Sequence, residues 1–453
     1  MTAARAAAAA LAVSRRRRED ATRFLQELVR VPSLTGEEGP GQLALARRVE
    51  ALGLAVDLEE PRLERLFAAY PDVAQYPTHW RHDLILPYAE LPTLDALRAS
   101  GLEDVLTYRG RPNLTARWPG AGGGSSLILN GHMDAVTVEP RAEWTVDPFG
   151  AEVRDGFLYG RGSADMKAGL CAAVEALACL GEAGVRLRGD VVLQSVVNEE
   201  HAGNGTLDLV ARGQRADAAI VLEPTENQVC VTTPGGLYWQ LEVPGVPTSP
   251  GARWDGARQV GVSAIEKLPL AIETLLALER DYNRRVPHPL HAGRAPFSLV
   301  LGTVHGGHYE TVTAGRAVLR GGAYFAPGLG RIGDVMAAMR QAVARMNAAD
   351  PFLRARPATL AFLHHDDATE QPVGLGFARD VLAALGAPSG RAPHAAPFAC
   401  DLRHLVNQGG MPGIVFGPGS IAEAHRPDER VPLGQYHAAI ERLIAILVAW
   451  CGV

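Results

Sequence analysis

Apolar and polar positions recur along this chain with two different periods, and the switches between them mark its elements. From Glu19 to Val31, Phe24, Leu25, Leu28 and Val31 fall at helical spacing, and Pro32 with the turn Ser33–Gly36 ends the run. Gln42 to Leu54 repeats the amphipathic helical pattern, and Leu54 to Leu58 predicts a short strand. Residues 60–112 are rich in Pro, Tyr, Trp and His without a steady period, and predict an irregular excursion with short helices. Pro112–Trp118 then reads as a strand, and the Gly-rich turn Gly120–Gly124 leads into Leu127-Ile128-Leu129-Asn130-Gly131-His132-Met133-Asp134. That stretch predicts a buried strand running out into a loop that presents a His and a carboxylate.

Further on, Phe157–Gly162 is a strand end with a tight turn. Ser163-Ala164-Asp165 opens a helix to about Leu180, with Leu170, Ala173, Val174, Leu177 and Leu180 as its buried stripe. Asp190–Val197 and Ala218–Leu222 are two more buried strands, ending at Asn198-Glu199-Glu200 and Glu223-Pro224-Thr225. Strands alternating with helices indicate an α/β sheet with parallel members. After Pro234-Gly235-Gly236 the pattern changes. Leu237–Val243 alternates, a helix covers about Val262–Leu278 with a kink or break at Pro269, and strands follow near Phe297–Val304 and Ala317–Phe325. A helix over Ile332–Met346 and a strand over Ala358–Leu363 complete a β-α-β-β-α-β order, a ferredoxin-like unit inserted into the α/β domain. The chain then returns to the first domain with a strand at Gly413–Phe416 and a last helix at Tyr436–Trp450. The expected architecture is a mixed-sheet α/β catalytic domain from residues 1–235 and 367–453, with a lid at 236–366.

A length of 453 residues fits two domains. The net charge of −6 argues against nucleic acid or an anionic membrane as partner, and no apolar run approaches a membrane span. Five scattered cysteines without a CxxC suit a reducing, cytoplasmic setting and provide no thiolate metal site. At the N-terminus, Ala7–Val13 is apolar and Arg15–Arg18 follows it. A secretory signal has its charges in the reverse order, so the expectation is a frayed, Ala-rich helical extension.

The candidate chemistry sits where strands end: His132 and Asp134, Asp165, Glu199-Glu200, Glu223 and, after the last strand, His425. Each alone has an ordinary explanation, such as a helix cap for Asp165 or a solvated pair for Glu199-Glu200. Together they gather at the carboxyl edge of an open α/β sheet, where ligands bind. Such a set supplies carboxylates and imidazoles for two zinc-like ions, with one carboxylate left over for general-base work. Glu199 fits that base, and Asp134 fits a partner that orients the His132 imidazole.

Gly131–Asp134, Gly160-Arg161-Gly162-Ser163-Ala164-Asp165-Met166-Lys167, Asn198–Glu200 with Gly203-Asn204-Gly205, Glu223-Pro224-Thr225, and Phe416–Gly419 with Ala424-His425 resemble the family of aminoacylase, acetylornithine deacetylase, succinyl-diaminopimelate desuccinylase and carboxypeptidase G. Trp144-Thr145 with Asp147-Pro148-Phe149 matches it too, and the resemblance runs from about residue 19 to 453. It implies a di-zinc amidohydrolase (cobalt or manganese being alternatives) with an inserted lid through which homodimers form. It implies that His132, Asp165, Glu200, Glu223 and His425 hold the metals, with Asp165 bridging. A metal-bridged hydroxide would attack an amide carbonyl of a small, amino-acid-like substrate, with Glu199 as general base; acetylornithine deacetylation is the specific expectation. Read from the residues alone, Arg403 fits pairing with a substrate carboxylate and a surface salt bridge equally, and Gly417 and Gly419 fit either backbone N–H groups brought close to a substrate or a plain turn.

Two positions depart from that pattern. Ser249 stands where the family's lid carries a His that binds the oxyanion, and Thr313-Ala314 replaces a Val-Pro pair. Loss of one such donor costs about 10²–10³ in rate. The alternative expectation is therefore a relative that keeps its metals but has turned to amide formation or another tailoring step. His305 or His308 could substitute for the missing donor from another lid strand, but both fit exposed strand or turn residues better. His364-His365-Asp366-Asp367 fits a domain junction better than a metal cluster.

Overall fold

A computed structural model describes residues 2–73, 93–102, 107–285, 289–291, 295–371, 376–388 and 390–453. Much of the expected excursion at 60–112 lies outside these residues; within them it holds two short helices, Leu63–Ala69 and Leu94–Ala99. The chain forms two compact units, one from the described residues up to Thr233 and from Thr369 onward, the other from Pro234 to Ala368.

The first unit is built on a nine-stranded mixed sheet. Its centre is four parallel strands in the order Val191–Val196, Leu127–His132, Ala218–Val221 and Gly413–Val415. Leu127–His132, Ala218–Val221 and Gly413–Val415 are buried at every residue, as the continuous apolar runs require of strands covered on both faces. Antiparallel strands flank this core: Asn113–Trp118 and Val56–Glu59 on one side, Cys230–Thr233 and Thr369–Glu370 on the other. Because the central strands are parallel, their carboxyl ends share one edge, and the chain leaves that edge at His132, Val196, Val221 and Val415.

Helix Ala168–Glu182 is buried along its whole length to Leu180, and its small residues let it lie close to the sheet. A Cβ on Gly169 would stand 2.0 Å from the Leu222 carbonyl oxygen, so only glycine lets this helix meet the strand that leads to Glu223. The helix does not open at Ser163 as expected. Ser163–Lys167 forms a wide turn in which Asp165 (φ −119°, ψ 94°) and Met166 are non-helical, and the regular helix begins at Ala168.

The N-terminal extension is not frayed either. Ala3–Arg16 is a helix that packs on Leu433–Cys451 and Ala168–Glu182 through Ala6, Ala10 and Val13. Alanines make a weak hydrophobic signal, yet they permit close helix contact. Arg16 and Arg17 then pair with Glu182, while Arg17 and Arg48 converge on the fully buried Glu175.

In the second unit, Gly235–Pro244, Ala264–Asn283, Phe297–Gly306, Arg316–Phe325, Ile332–Ala349 and Thr359–Asp366 follow one another as β-α-β-β-α-β. The strands pair antiparallel in the order second, third, first, fourth, which is the ferredoxin-like arrangement. Alternate residues of Gly235–Pro244, among them Trp239, Leu241 and Val243, join Leu275, Phe297, Phe325, Val335 and Met339 in its core. Pro269 neither ends nor splits its helix, which runs 20 residues. The hydrogen bond lost there is to the carbonyl of Ile265, an exposed residue where water can take its place. No helix among the described residues is long and apolar enough to cross a membrane.

Candidate metal centre

His132 is the last residue of its strand, and its Nδ1 lies 2.8 Å from the main-chain oxygen of Asp134. A carbonyl can only accept, so Nδ1 carries the proton and donates it. Nε2 is thereby turned toward Asp165 Oδ1 at 3.0 Å and Glu223 Oε1 at 3.5 Å. His425, in the loop after the turn Ile421–Glu423, places Nε2 2.9 Å from Glu200 Oε2 and 3.2 Å from Asp165 Oδ2. The two oxygens of Asp165 thus face two different imidazoles. The ligand atoms of His132, Glu199 and Glu223 lie within 4.8 Å of one another, as do those of His132, Asp165 and Glu200. The shorter atom-to-atom contacts divide the set more finely, into His132 with Glu223 and His425 with Glu200, with Asp165 between them.

Asp134 acts differently from the sequence expectation. Its carboxylate is 3.8 Å from His132 Nδ1, and the imidazole is oriented by its carbonyl instead. The carboxylate accepts the backbone N–H groups of Glu199 (3.1 Å) and Glu200 (3.2 Å) and the hydroxyl of Thr35 (3.1 Å). It therefore fixes the turn that carries both glutamates. Behind that turn, the buried Arg111 pairs with Glu38 at 2.7 Å and donates to Asn198 Oδ1 at 2.9 Å. Thr35, Glu38 and Arg111 were not expected here, and nothing in their local sequence marks them, because their partners are more than 60 positions away.

Asp165 is held from behind. Glu429 Oε1 accepts from the backbone N–H groups of Ala164 (2.9 Å) and Asp165 (3.1 Å). Its Oε2 accepts from Gly162 N–H (3.0 Å) and Arg161 (2.7 Å). These four donors account for the wide turn: the N–H groups expected to start a helix point at a carboxylate. Gly162 adopts φ 78°, a conformation that favours glycine. Arg161 also lies 5.0 Å over the ring of Trp144. Glu429, four residues after His425, was missed; the visible signal was a second acidic pair, Asp428-Glu429, on the same loop.

Six carboxylates, on Asp134, Asp165, Glu199, Glu200, Glu223 and Asp401, crowd this largely buried place, with the guanidinium of Arg403 beside Glu199. Uncompensated charge of that kind is costly. Glu200 pushes the imidazole of His425 up to about 12. Burial pulls His132 down, but Glu223 and Asp165 outweigh it and hold it well above its usual value. Burial lifts Glu223 up to about 8 and Glu199 well above the carboxylate range, Asp401 adding to the latter. Asp165 goes the other way, its burial overcome by hydrogen bonds from His132 and His425. The imidazoles here serve as the local cations. Nitrogen and oxygen donors without thiolates, with an excess of negative charge, fit divalent ions such as zinc.

Arg403 is buried, and its NH1 lies 3.7 Å from Glu199 Oε1. The Gly417 N–H donates to Thr225 Oγ1 at 3.1 Å and the Gly419 N–H to Gln435 Oε1 at 3.0 Å. Both N–H groups are engaged in hydrogen bonds within the protein, where donation to a substrate was expected. A Cβ on Gly417 would meet the Leu222 oxygen at 2.5 Å.

In the second unit, Ser249 is exposed just before the turn Pro250–Ala252. The Thr313 hydroxyl accepts from Thr248 N–H at 2.8 Å and donates to the Val246 carbonyl at 2.7 Å. The two departures from the family pattern are therefore neighbours, and Thr313 tethers the segment that ends in Ser249. His305 lies exposed on the strand Phe297–Gly306, and His308 lines a cavity of about 590 Å³ with Thr248, Arg253, Tyr309 and Thr313. His364 Nε2 pairs with Asp366 at 2.8 Å within the strand Thr359–Asp366.

A family model described as peptidase family M20/M25/M40 matches residues 128–449. The N-formyl-4-amino-5-aminomethyl-2-methylpyrimidine deformylase of Bacillus subtilis (strain 168) is 30% identical over 369 residues, 76% of this chain and 84% of the relative. Succinyl-diaminopimelate desuccinylase 2 of Ruegeria sp. (strain TM1040) is 44% identical over 123 residues, 26% of this chain and 30% of that protein. A solved Bacillus subtilis structure, described as a dinuclear metal-binding peptidase from the M20 family, superposes with a TM-score of 0.59 at 13% identity, covering 97% of this chain and 98% of that one. It shares the fold.

Proposed function

We propose, from the premise that the chain belongs to peptidase family M20/M25/M40 and is an enzyme hydrolysing amide bonds, that it removes a small acyl group from an amine with the help of two divalent ions. His132 and Glu223 would hold one ion, His425 and Glu200 the other, and Asp165 both. The observation that carries this reading is the splitting of the Asp165 carboxylate between two imidazoles, Oδ1 at 3.0 Å from His132 and Oδ2 at 3.2 Å from His425. Ions bound there would supply Lewis acidity for the amide carbonyl and for the attacking water.

The chain's own residues do the rest. Glu199 takes the proton of the attacking water and passes it to the leaving amine, and its raised proton affinity suits both transfers. Asp134 keeps Glu199 and Glu200 on one rigid turn through their backbone N–H groups. Arg403 faces Glu199 and steadies its charged form.

The relative that spans most of both chains acts on an N-formyl aminomethylpyrimidine, which favours a formyl group over acetyl or succinyl, and so over the acetylornithine reading. The expected result with protein reconstituted with zinc is a kcat/KM for N-formyl-4-amino-5-aminomethyl-2-methylpyrimidine above that for N-acetylornithine, N-succinyl-diaminopimelate or dipeptides. Best turnover on N-acetylornithine would replace the formyl reading. No turnover on any of them, with two ions bound, would favour repurposed chemistry, the reading that Ser249 in place of the family's His suggests.

Ion uptake should release protons. In the metal-free protein Glu200 pushes His425 up to about 12, and, against burial, Glu223 with Asp165 holds His132 well above its usual value, which favours the protonated form of both imidazoles. A cation can bind only their neutral forms. Apparent affinity should therefore fall as pH falls, and calorimetry in buffers of different ionisation enthalpy should show at least about two protons released on filling both positions. Release of none would mean that the imidazoles are neutral before the ions bind or are not ligands.

A further inference from the structure

Glu429 touches no expected ligand atom, yet its single side chain receives four donors from the loop that carries Asp165: Arg161, Gly162 N–H, Ala164 N–H and Asp165 N–H. The segment that carries Glu429 also carries His425 four residues earlier. Asp428, next to it, accepts from the Thr145 N–H at 2.8 Å and from the Val146 N–H at 3.3 Å. Arg430, on its other side, begins the strand Arg430–Pro432, which pairs with Phe157–Tyr159 just before the Asp165 loop. The His425 segment is thus tied down on both sides of one carboxylate, to Thr145-Val146 through Asp428 and to the strand that leads into the Asp165 loop through Arg430–Pro432.

His132 and Glu223 have separate supports, since His132 ends one strand of the central sheet and Glu223 follows another. His425 has no such anchor. It lies on an irregular loop in a left-handed conformation (φ 59°), with its side chain 52% exposed. Its distance from Asp165 is set by how the two loops are joined.

We propose that Glu429 is a positioning residue that fixes His425 against Asp165 and so builds the His425–Glu200 ion position, leaving the His132–Glu223 position largely to the sheet. This rests on the two-ion reading above. Asp165 serves both positions, so loosening Glu429 disturbs one of three ligands in the His132 position and two of three in the His425 position. The two ions should respond unequally.

The test is a cobalt(II) titration of metal-free wild type, Glu429→Gln and Glu429→Asp, followed by visible absorption and by calorimetry. In Glu429→Gln the amide can still accept from two donors, but its NH₂ opposes the others. In Glu429→Asp the charge stays and the reach shortens by one methylene. The expected result is a first equivalent close to wild type and a second weakened about 10–100-fold, the usual cost of losing a group that orients a ligand. Activity at saturating metal should return toward wild type with KM unchanged. Two wild-type binding steps in either variant would overturn the proposal, as would equal weakening of both steps. Failure of both variants to fold would also overturn it, by making Glu429 a residue of the fold. If wild type itself takes up fewer than two ions, it is the two-ion reading that fails.

Discussion

Glu199→Gln should lower kcat by about 10²–10⁴-fold, the range that general acid–base catalysis supplies, while the protein still binds two ions. Glutamine keeps the size of the side chain and an acceptor oxygen but cannot take a proton. The turn is held by backbone N–H groups donated to Asp134, which the substitution does not touch. Ion content decides between two roles. The Glu199 ligand atom lies within 4.8 Å of those of His132 and Glu223, so the geometry alone also allows Glu199 to be a ligand. Measured by mass spectrometry of the dialysed variant, a loss of one ion would make it one. Two ions with unchanged kcat would remove it from the mechanism.

Asp165→Asn should be more damaging to metal binding. The carboxylate directs one oxygen to each imidazole, whereas an amide has one acceptor oxygen and one donor NH₂. The NH₂ would face either His132 or His425, and the site would lose a unit of negative charge. The expected result is no more than one ion retained after dialysis, with affinity for the other reduced by at least about 100-fold, the upper end of what loss of a merely supporting residue costs. Retention of two ions at wild-type affinity would show that Asp165 does not bridge.

The sequence is most informative where a residue's role follows from its position on an element. The central strands are legible as apolar runs, and their last residues are visible candidates because parallel strands end together. The inserted β-α-β-β-α-β order is legible from periodicity in the same way. What the sequence hides are partners brought close only by folding. Glu38, Arg111 and Glu429 are buried charges whose partners lie far away in the chain. The Asp134 carboxylate is misread for the same reason, because its nearest conspicuous neighbour in sequence is His132 while its acceptors are used 65 residues later. Gly417 and Gly419 are misread because a glycine gives no sign of whether its N–H is free. The Ser163 helix start is misread because a carboxylate more than 260 positions on competes for the N–H groups that would have opened it.

The order of the central strands has a consequence for how the protein is made. Three of the four strand ends that frame the site are contributed by residues before Pro234, but Gly413–Val415, which lies beside Ala218–Val221, comes only after the whole second unit. During synthesis the sheet would wait through more than a hundred residues with one side of Ala218–Val221 unpaired and with His132, Glu200 and Glu223 already made, but without His425 or the Glu429 that holds Asp165. A nascent chain halted in the second unit holds an acidic, unfinished cup at an open sheet edge, the kind of intermediate that chaperones shield. Capture of the second ion, at His425 and Glu200, would in this sense report that translation has passed the last strand.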